Sequence, residues 1–224
     1  MPEIIVPIFP LPNVVFFPKM FLPLHVFEPR YKQMVRDRLE EDRRFGIILL
    51  QEGWQADYFG EPPVHNIGCL GEIETYERLP EGRFNILLRG IDRFELLRFV
   101  TEKPYRTAAV KLLGDLPFLL EQDQQIRARD TLLEKCLQYF KNVLGVEIEE
   151  DRLDREASLE TVVNQVASIL DIPAKQKQTL LEAPKLAQRL ELVNNIVDGS
   201  LQHANKLRRV VKKMKFTPEQ PELN

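Results

Sequence analysis

Two cysteines, three histidines and three serines are all that this 224-residue chain offers of those side chains, and their placement excludes most chemistry. Cys69 and Cys136 lie far apart and match no metal spacing, a usage that fits a reducing compartment. Ser158, Ser168 and Ser200 sit in no G-x-S-x-G setting. No G-x-x-x-x-G-K-[ST] loop is present, so no P-loop nucleotide site is encoded. The formal net charge of −3 gives no global pull toward nucleic acid or an anionic membrane. No apolar run approaches the roughly 18 residues of a membrane span. The opening MPEIIVPIFPLP carries an acid where a secretion signal has bases, and prolines interrupt its apolar residues. These absences read as a cytoplasmic protein with no membrane segment.

What is present is an ordinary globular balance, 44% hydrophobic and 29% charged, in a chain long enough to bury a real core. Proline divides it: eleven of the sixteen prolines fall in residues 1–116. Charge does not divide it, since the two parts carry −2 and −1. Residues 1–116 read as short strands and turns. Pro7 interrupts Ile4-Ile5-Val6 and Ile8-Phe9, which predicts an edge or irregular strand. Phe45–Leu50 has strand length and composition. Residues 67–79 and 83–90 flank Pro80-Glu81-Gly82 as a hairpin, and two more strands follow around Pro104. Frequent short strands favour a small barrel. One helix, at about 29–43, is inserted after Pro29, with Tyr31, Met34, Val35 and Leu39 on its inner face. From residue 117 to 216 the apolar period becomes helical. A long amphipathic segment ends near Gly145, Ser158 caps a second helix, a third starts at Pro173, and a fourth runs from Pro184 toward Lys215. The tail 217–224 reads as disordered.

Three stretches invite a functional reading. LPLHVFEPRY brings His25, Glu28 and Arg30 within six residues, yet the spacing suits neither a metal pair nor a triad. A strand-to-helix corner, ended by Pro29 and turned inward at Tyr31, explains it better. The run Lys206–Lys215 holds six bases and no acid, which could meet phosphates. It also carries the packing stripe Leu201, Ala204, Leu207, Val210, Val211 and Met214, and bases suit a helix C-terminus. The loop 52–63 holds the only tryptophan, Trp54, with Tyr58 and Phe59, and reads either as a protein-contact surface or as a cover over the barrel.

Together these residues resemble the Lon N-terminal, or substrate-binding, domain family. IFPLPNVVFFP running on through LPLHVFEPRY is similar to that family's opening signature. Ile67-Gly68-Cys69-Leu70-Gly71-Glu72-Ile73, with Pro80–Gly90 and Arg93-Phe94, resembles its hairpin. Lys175–Glu182 with Arg189-Leu190 resembles its helical segment. At Pro18-Lys19-Met20 the chain departs from the pattern, because the family often has glycine after the proline. The resemblance implies an α+β fold: a PUA-like β-barrel followed by a helical bundle. In full-length relatives an AAA+ ATPase and a serine–lysine peptidase domain follow. This sequence carries neither, so the catalytic residues of those domains have no positions here, and no catalytic residue, metal ligand or cofactor is expected.

The expectation is a stand-alone, non-catalytic recognition module that binds unfolded or extended protein segments, in protein quality control, alone or for a separate protease. Trp54, Tyr58 and Phe59 are the expected peptide anchors. His25, Glu28, Pro29, Arg30 and Tyr31 are expected to be structural. The alternative is an RNA-binding PUA-like module using the basic last helix, against which the near-neutral barrel argues. A homodimer through that long helix stays open.

Overall fold

The computed structural model describes residues 3–57, 60–100, 103–114, 121–148 and 156–214. Their strands are Glu3–Leu11 (β1), Phe21–Val26 (β2), Arg44–Leu49 (β3), Ile67–Arg78 (β4), Phe84–Val100 (β5) and Thr107–Leu113 (β6). Helix Pro29–Glu40 (α1) is inserted after β2. Gln122–Tyr139 (α2), Leu159–Ile169 (α3), Ala174–Glu182 (α4) and Leu186–Met214 (α5) follow the strands. The sheet order is β2-β5-β4-β3-β1-β6, and β6 returns to β5, so five strands close a barrel with β2 added at one side. β1 and β3 are parallel, and the other pairs are antiparallel. The α+β order, barrel and then bundle, is the one the resemblance implies.

Strand β5 makes the closure possible by serving two neighbours. Its first half, Phe84–Arg89, pairs with β2, and its second half, Arg93–Val100, pairs with β6. Between them Gly71 faces Gly90 and Leu70 faces Asp92, so Ile91 is an extra residue that bends the strand. Gly90 is needed there because a Cβ would lie 2.3 Å from the Phe17 carbonyl oxygen. The chain crossing behind it is tied down by Lys19 N–H to the Gly90 carbonyl (2.9 Å) and Gly90 N–H to the Met20 carbonyl (2.8 Å).

Of the two alternatives that Pro7 left open, an edge or an irregular strand, the structure shows the second. Pro7 lies within β1, which stands between β3 and β6. Residues 3–7 pair with β6 and residues 8–11 with β3. The missing N–H therefore falls where the strand changes partner, and no continuous ladder is interrupted.

Barrel and bundle have different cores. The barrel is rich in aromatics, with Phe9, Phe16, Phe45 and Phe84 in one cluster and Phe94 in another. The bundle is aliphatic, built on Leu132, Leu133, Val162, Val163, Val166, Leu180, Leu181, Val193 and Val197. The opening motif joins the two. Phe16 enters the barrel core, whereas Val15 and Phe17 belong to the bundle cluster. The α3 residue Asn164, fully buried, donates to the Pro18 carbonyl at 3.2 Å.

The departure from the family pattern at Lys19 falls on a turn residue of positive φ. Lys19 has φ 68°, the left-handed conformation that glycine adopts without strain. Among the described residues no helix is long and apolar enough to cross a membrane. Residues 217–224 lie outside the described residues.

Candidate functional site

The barrel and bundle are locked together by buried side chains that the motifs supply. Arg93 on β5 is 2% exposed and donates to the carbonyls of Leu181 (3.1 Å), Ala183 (2.7 Å) and Pro184 (3.4 Å), where α4 passes into α5. Arg189 on α5 is fully buried and donates to Asn164 Oδ1 (2.8 Å) and the Ala183 carbonyl (3.4 Å). Gln178 Nε2 reaches the Ile67 carbonyl of β4 at 2.9 Å. These are charge-assisted or buried hydrogen bonds to groups that would otherwise lose water without a partner. The junction is therefore a rigid seat.

A groove of about 510 Å³ opens between the barrel and the start of α4. One wall is the end of β3 and the following loop, Leu49 through Gln55. The other wall is Pro12-Asn13, with Ala174 and Lys175 at the start of α4 closing one end. The loop is held in place by backbone bonds, Leu50 N–H to the Leu11 carbonyl and Gln51 N–H to the Pro63 carbonyl, both 2.9 Å. Gln51 Nε2 adds a bond to the Val64 carbonyl at 2.8 Å. Lys175 Nζ and Glu52 Oε1 form an exposed ion pair of 3.2 Å across the mouth. His65 lines the groove, with Nδ1 3.3 Å from Glu182 Oε1. The lining thus combines apolar surface from Pro12, Leu49, Leu50 and Trp54 with the amides of Asn13, Gln51 and Gln55. Such a mixture suits an extended polypeptide, whose side chains take the apolar surface while its backbone takes the amides.

Trp54 lies on a single 3-10 turn, Trp54–Asp57, and is half-buried against the barrel cluster that holds Leu50 and Val64. It covers the barrel and lines the groove at once. Tyr58 and Phe59 lie outside the described residues. Asn13, Gln51, His65 and Lys175 were not singled out as site residues by sequence reasoning. They come from four separate segments, and no local pattern announces their meeting.

The corner LPLHVFEPRY assembles no reactive group. Leu22, Leu24 and Val26 point toward the barrel interior, as Phe21, Pro23 and His25 face out. His25 Nδ1 lies 2.8 Å from Asn85 Oδ1 on the exposed face. Glu28 is the residue before α1, and its carbonyl accepts from Tyr31 N–H (3.1 Å) and Lys32 N–H (2.8 Å). Its carboxylate pairs with Arg30 at 3.1 Å. Pro29 occupies the first helical turn, where its missing N–H costs nothing. Tyr31 is buried and stacks on Phe9 with ring centroids 4.0 Å apart, and the Arg30 guanidinium lies 4.7 Å from the Tyr31 ring centre.

Other reactive side chains serve the fold. Ser168 Oγ donates to the Gln165 carbonyl (2.7 Å) and Ser200 Oγ to the Ile196 carbonyl (2.9 Å). Ser158 accepts from Thr161 N–H (3.2 Å) as the cap of α3. Burial lowers the Lys177 pKa, but its ammonium donates to the Ser168 backbone carbonyl (2.6 Å) and not to the hydroxyl. Both cysteines are free and buried. Burial raises both thiols, Cys136 to about 11 and Cys69 further. Among the described residues no group of three or more His, Cys, Asp or Glu could hold a metal ion.

Comparison with known proteins bears on what this arrangement is. The model of the ATP-dependent protease La (LON) substrate-binding domain matches residues 5–199. A Lon protease of Anaeromyxobacter dehalogenans is 24% identical over 93% of this chain and 25% of its own length. Lon protease 2 of Desulfotalea psychrophila is 29% identical over 94% of this chain and 27% of its own length. The chain thus spans about a quarter of the length of these curated relatives. Among solved structures, a Lon N-terminal domain protein from Xanthomonas campestris superposes with a TM-score of 0.60 at 24% identity. It covers 86% of this chain and 98% of its own. The N-terminal domain of Mycobacterium avium complex Lon protease superposes with a TM-score of 0.63 at 15% identity, covering 87% and 98%. Those likenesses show the shared fold, and the domain match over residues 5–199 shows the family: the chain belongs to the LON substrate-binding domain family.

Proposed function

We propose that this chain is a non-catalytic recognition module of the Lon type, which holds unfolded or extended protein segments in the groove between barrel and bundle. The observation that carries the reading is the groove itself. It sets apolar surface beside the amides of Asn13, Gln51 and Gln55, on a seat held by the backbone bonds of Leu50 to Leu11 and of Gln51 to Pro63. A rigid seat lowers the entropy lost when an extended chain is captured. Membership in a substrate-binding family supports a protein ligand. The client would pass from here to a separate protease, and the two buried free thiols suit a reducing, cytoplasmic setting.

The test is affinity for a fluorescently labelled, chemically unfolded protein. Replacing Trp54, Tyr58 and Phe59 together by alanine is expected to weaken binding about tenfold, the scale on which truncated aromatic anchors act. The thermal unfolding midpoint should move little. Unchanged affinity in a folded triple variant would remove the groove from the reading. Because the contact is mainly apolar, affinity should also change little between low and high salt.

A further inference from the structure

The last helix carries an apolar stripe that outruns its own bundle. Val193, Val197, Ala204, Leu207, Val211 and Met214 follow alternating steps of four and three, with Ser200 as the one polar member. That spacing is the seam of a helix with a helical neighbour. In the first half the neighbour is the bundle: Val193 and Val197 are fully buried and Leu201 is 8% exposed. In the second half the cover ends, and Leu207 is 53% exposed. Beside it, Val143 and Val146 after α2 are also exposed. A groove of about 650 Å³ lies between, lined by Val143, Ile172, Ile196, Gly199, Ala204 and Leu207.

Arg208 puts a positive charge at its edge, within a basic stretch of the helix. From Gly199 to Met214 the sequence carries Lys206, Arg208, Arg209, Lys212 and Lys213 and no acid. Arg208 donates to the neutral Asn142 Oδ1 (2.7 Å), which positions its charge at the groove. Nearby carboxylates already have cations: Asp198 pairs with Lys135 and Glu147 with Lys141, each at 2.8 Å. We infer that this groove seats an acidic amphipathic helix of a partner protein, its apolar face along Ala204 and Leu207 and its carboxylates against Lys206, Arg208 and Arg209. A second copy of α5 would set base against base. A phosphate backbone would leave the apolar walls uncovered, and a flat bilayer would not enter a concave groove whose rim holds Asn142, Gln176 and Asn195 amides.

The probe is a synthetic helical peptide of about 20 residues, with leucines on one stripe and glutamates flanking them. Its counterpart carries lysines in place of the glutamates. Binding to the full chain is read by fluorescence anisotropy. The acidic peptide should bind at least about tenfold more tightly than the basic one, and less tightly as salt rises. Leu207→Glu should lower its affinity about tenfold. Arg208→Glu with Arg209→Glu should weaken the acidic peptide and strengthen the basic one. All three positions are exposed, and unchanged circular dichroism checks that α5 persists. The Trp54/Tyr58/Phe59→Ala variant should bind the acidic peptide normally, which separates this surface from the client groove. Equal binding of both peptides, or indifference to the charge reversal, would overturn the inference. So would a chain dimer that Leu207→Glu abolishes, or binding of single-stranded RNA or phosphatidylserine vesicles with neither peptide held.

Discussion

The barrel closes on itself, whereas the bundle does not. In the barrel, five strands complete a circuit, and Phe94 fits so closely that a Cβ on Gly46 or Gly68 would press into its ring at 2.7 and 2.5 Å. In the bundle, the cluster needs Val15, Phe17 and Leu49 from the barrel side, and α5 leaves Leu207 and Val210 exposed. The barrel core is closed, although single apolar side chains such as Phe21, Leu97 and Phe99 stay exposed on its outside. The two grooves described above lie where the bundle meets the barrel and where α5 leaves the bundle. Family motifs supply Arg93, Gln178 and Arg189 to the first of these places.

The sharpest way to break this contrast is to cut the connection. Arg93→Ala strands the buried Leu181 carbonyl and removes the charge-assisted bonds to Ala183, which keeps Arg189, and to the exposed Pro184. A buried orphan costs about 1–3 kcal/mol and a lost charge-assisted bond about 1.5–3 kcal/mol, so a loss of about 4 kcal/mol is expected in denaturant unfolding. Hydrogen exchange should rise in α4 and early α5 before it rises in the barrel. Equal loss of protection in both parts would show that they unfold as one.

Next in size is the barrel's own fit. Gly68→Ala places a methyl 2.5 Å from both the Ile47 carbonyl oxygen and the Phe94 ring, and backbone cannot yield as a side-chain tip can. A loss of about 3 kcal/mol is expected by thermal or chemical unfolding.

A smaller effect concerns the inserted helix. Asp37 on α1 accepts from Tyr105 Oη (2.6 Å), Gln33 Nε2 (2.7 Å) and Lys103 Nζ (3.3 Å). Burial raises its pKa, but these donors outweigh burial and hold the carboxyl below the usual range. A depressed folded pKa adds stability above the unfolded value of about 3.9, and that stability is lost as pH falls through the folded pKa. Asp37→Asn should therefore cost about 1 kcal/mol at pH 7. Its difference from the parent should shrink below about pH 4, as measured by urea unfolding across pH.

The smallest effect has the opposite sign. Lys19→Gly relieves a left-handed residue at the turn behind Gly90 and should stabilise the chain by about 1 kcal/mol. A lower melting temperature would mean that the lysine side chain contributes more than its backbone costs.

Much of this could be read without coordinates. The change from strand to helix after residue 113, the hairpin around Pro80-Glu81-Gly82 and the cap at Ser158 follow from local pattern. So does the corner at Pro29, because proline and its neighbours restrict their own backbone. Pro7 left an edge and an irregular strand open, since whether a missing donor matters depends on which strand lies alongside. Arg93 and Arg189 were visible as letters in motifs, but their partners lie about 90 and 25 residues away. The groove beside the start of α4 was least legible. Only Trp54 could be singled out, as an aromatic in a polar loop, whereas Pro12, Asn13, His65 and Lys175 reach it from distant segments.

The sequence by itself determined the family, the order of barrel and bundle, and the local form of nearly every element. Periodicity, proline and glycine act over a few residues, and a linear pattern records them. Tertiary structure alone decided which arginines lock the two parts together, that Lys19 adopts a glycine's conformation, and that α5 runs beyond its cover. These depend on which surfaces meet across long separations, and burial is a property of the assembled fold.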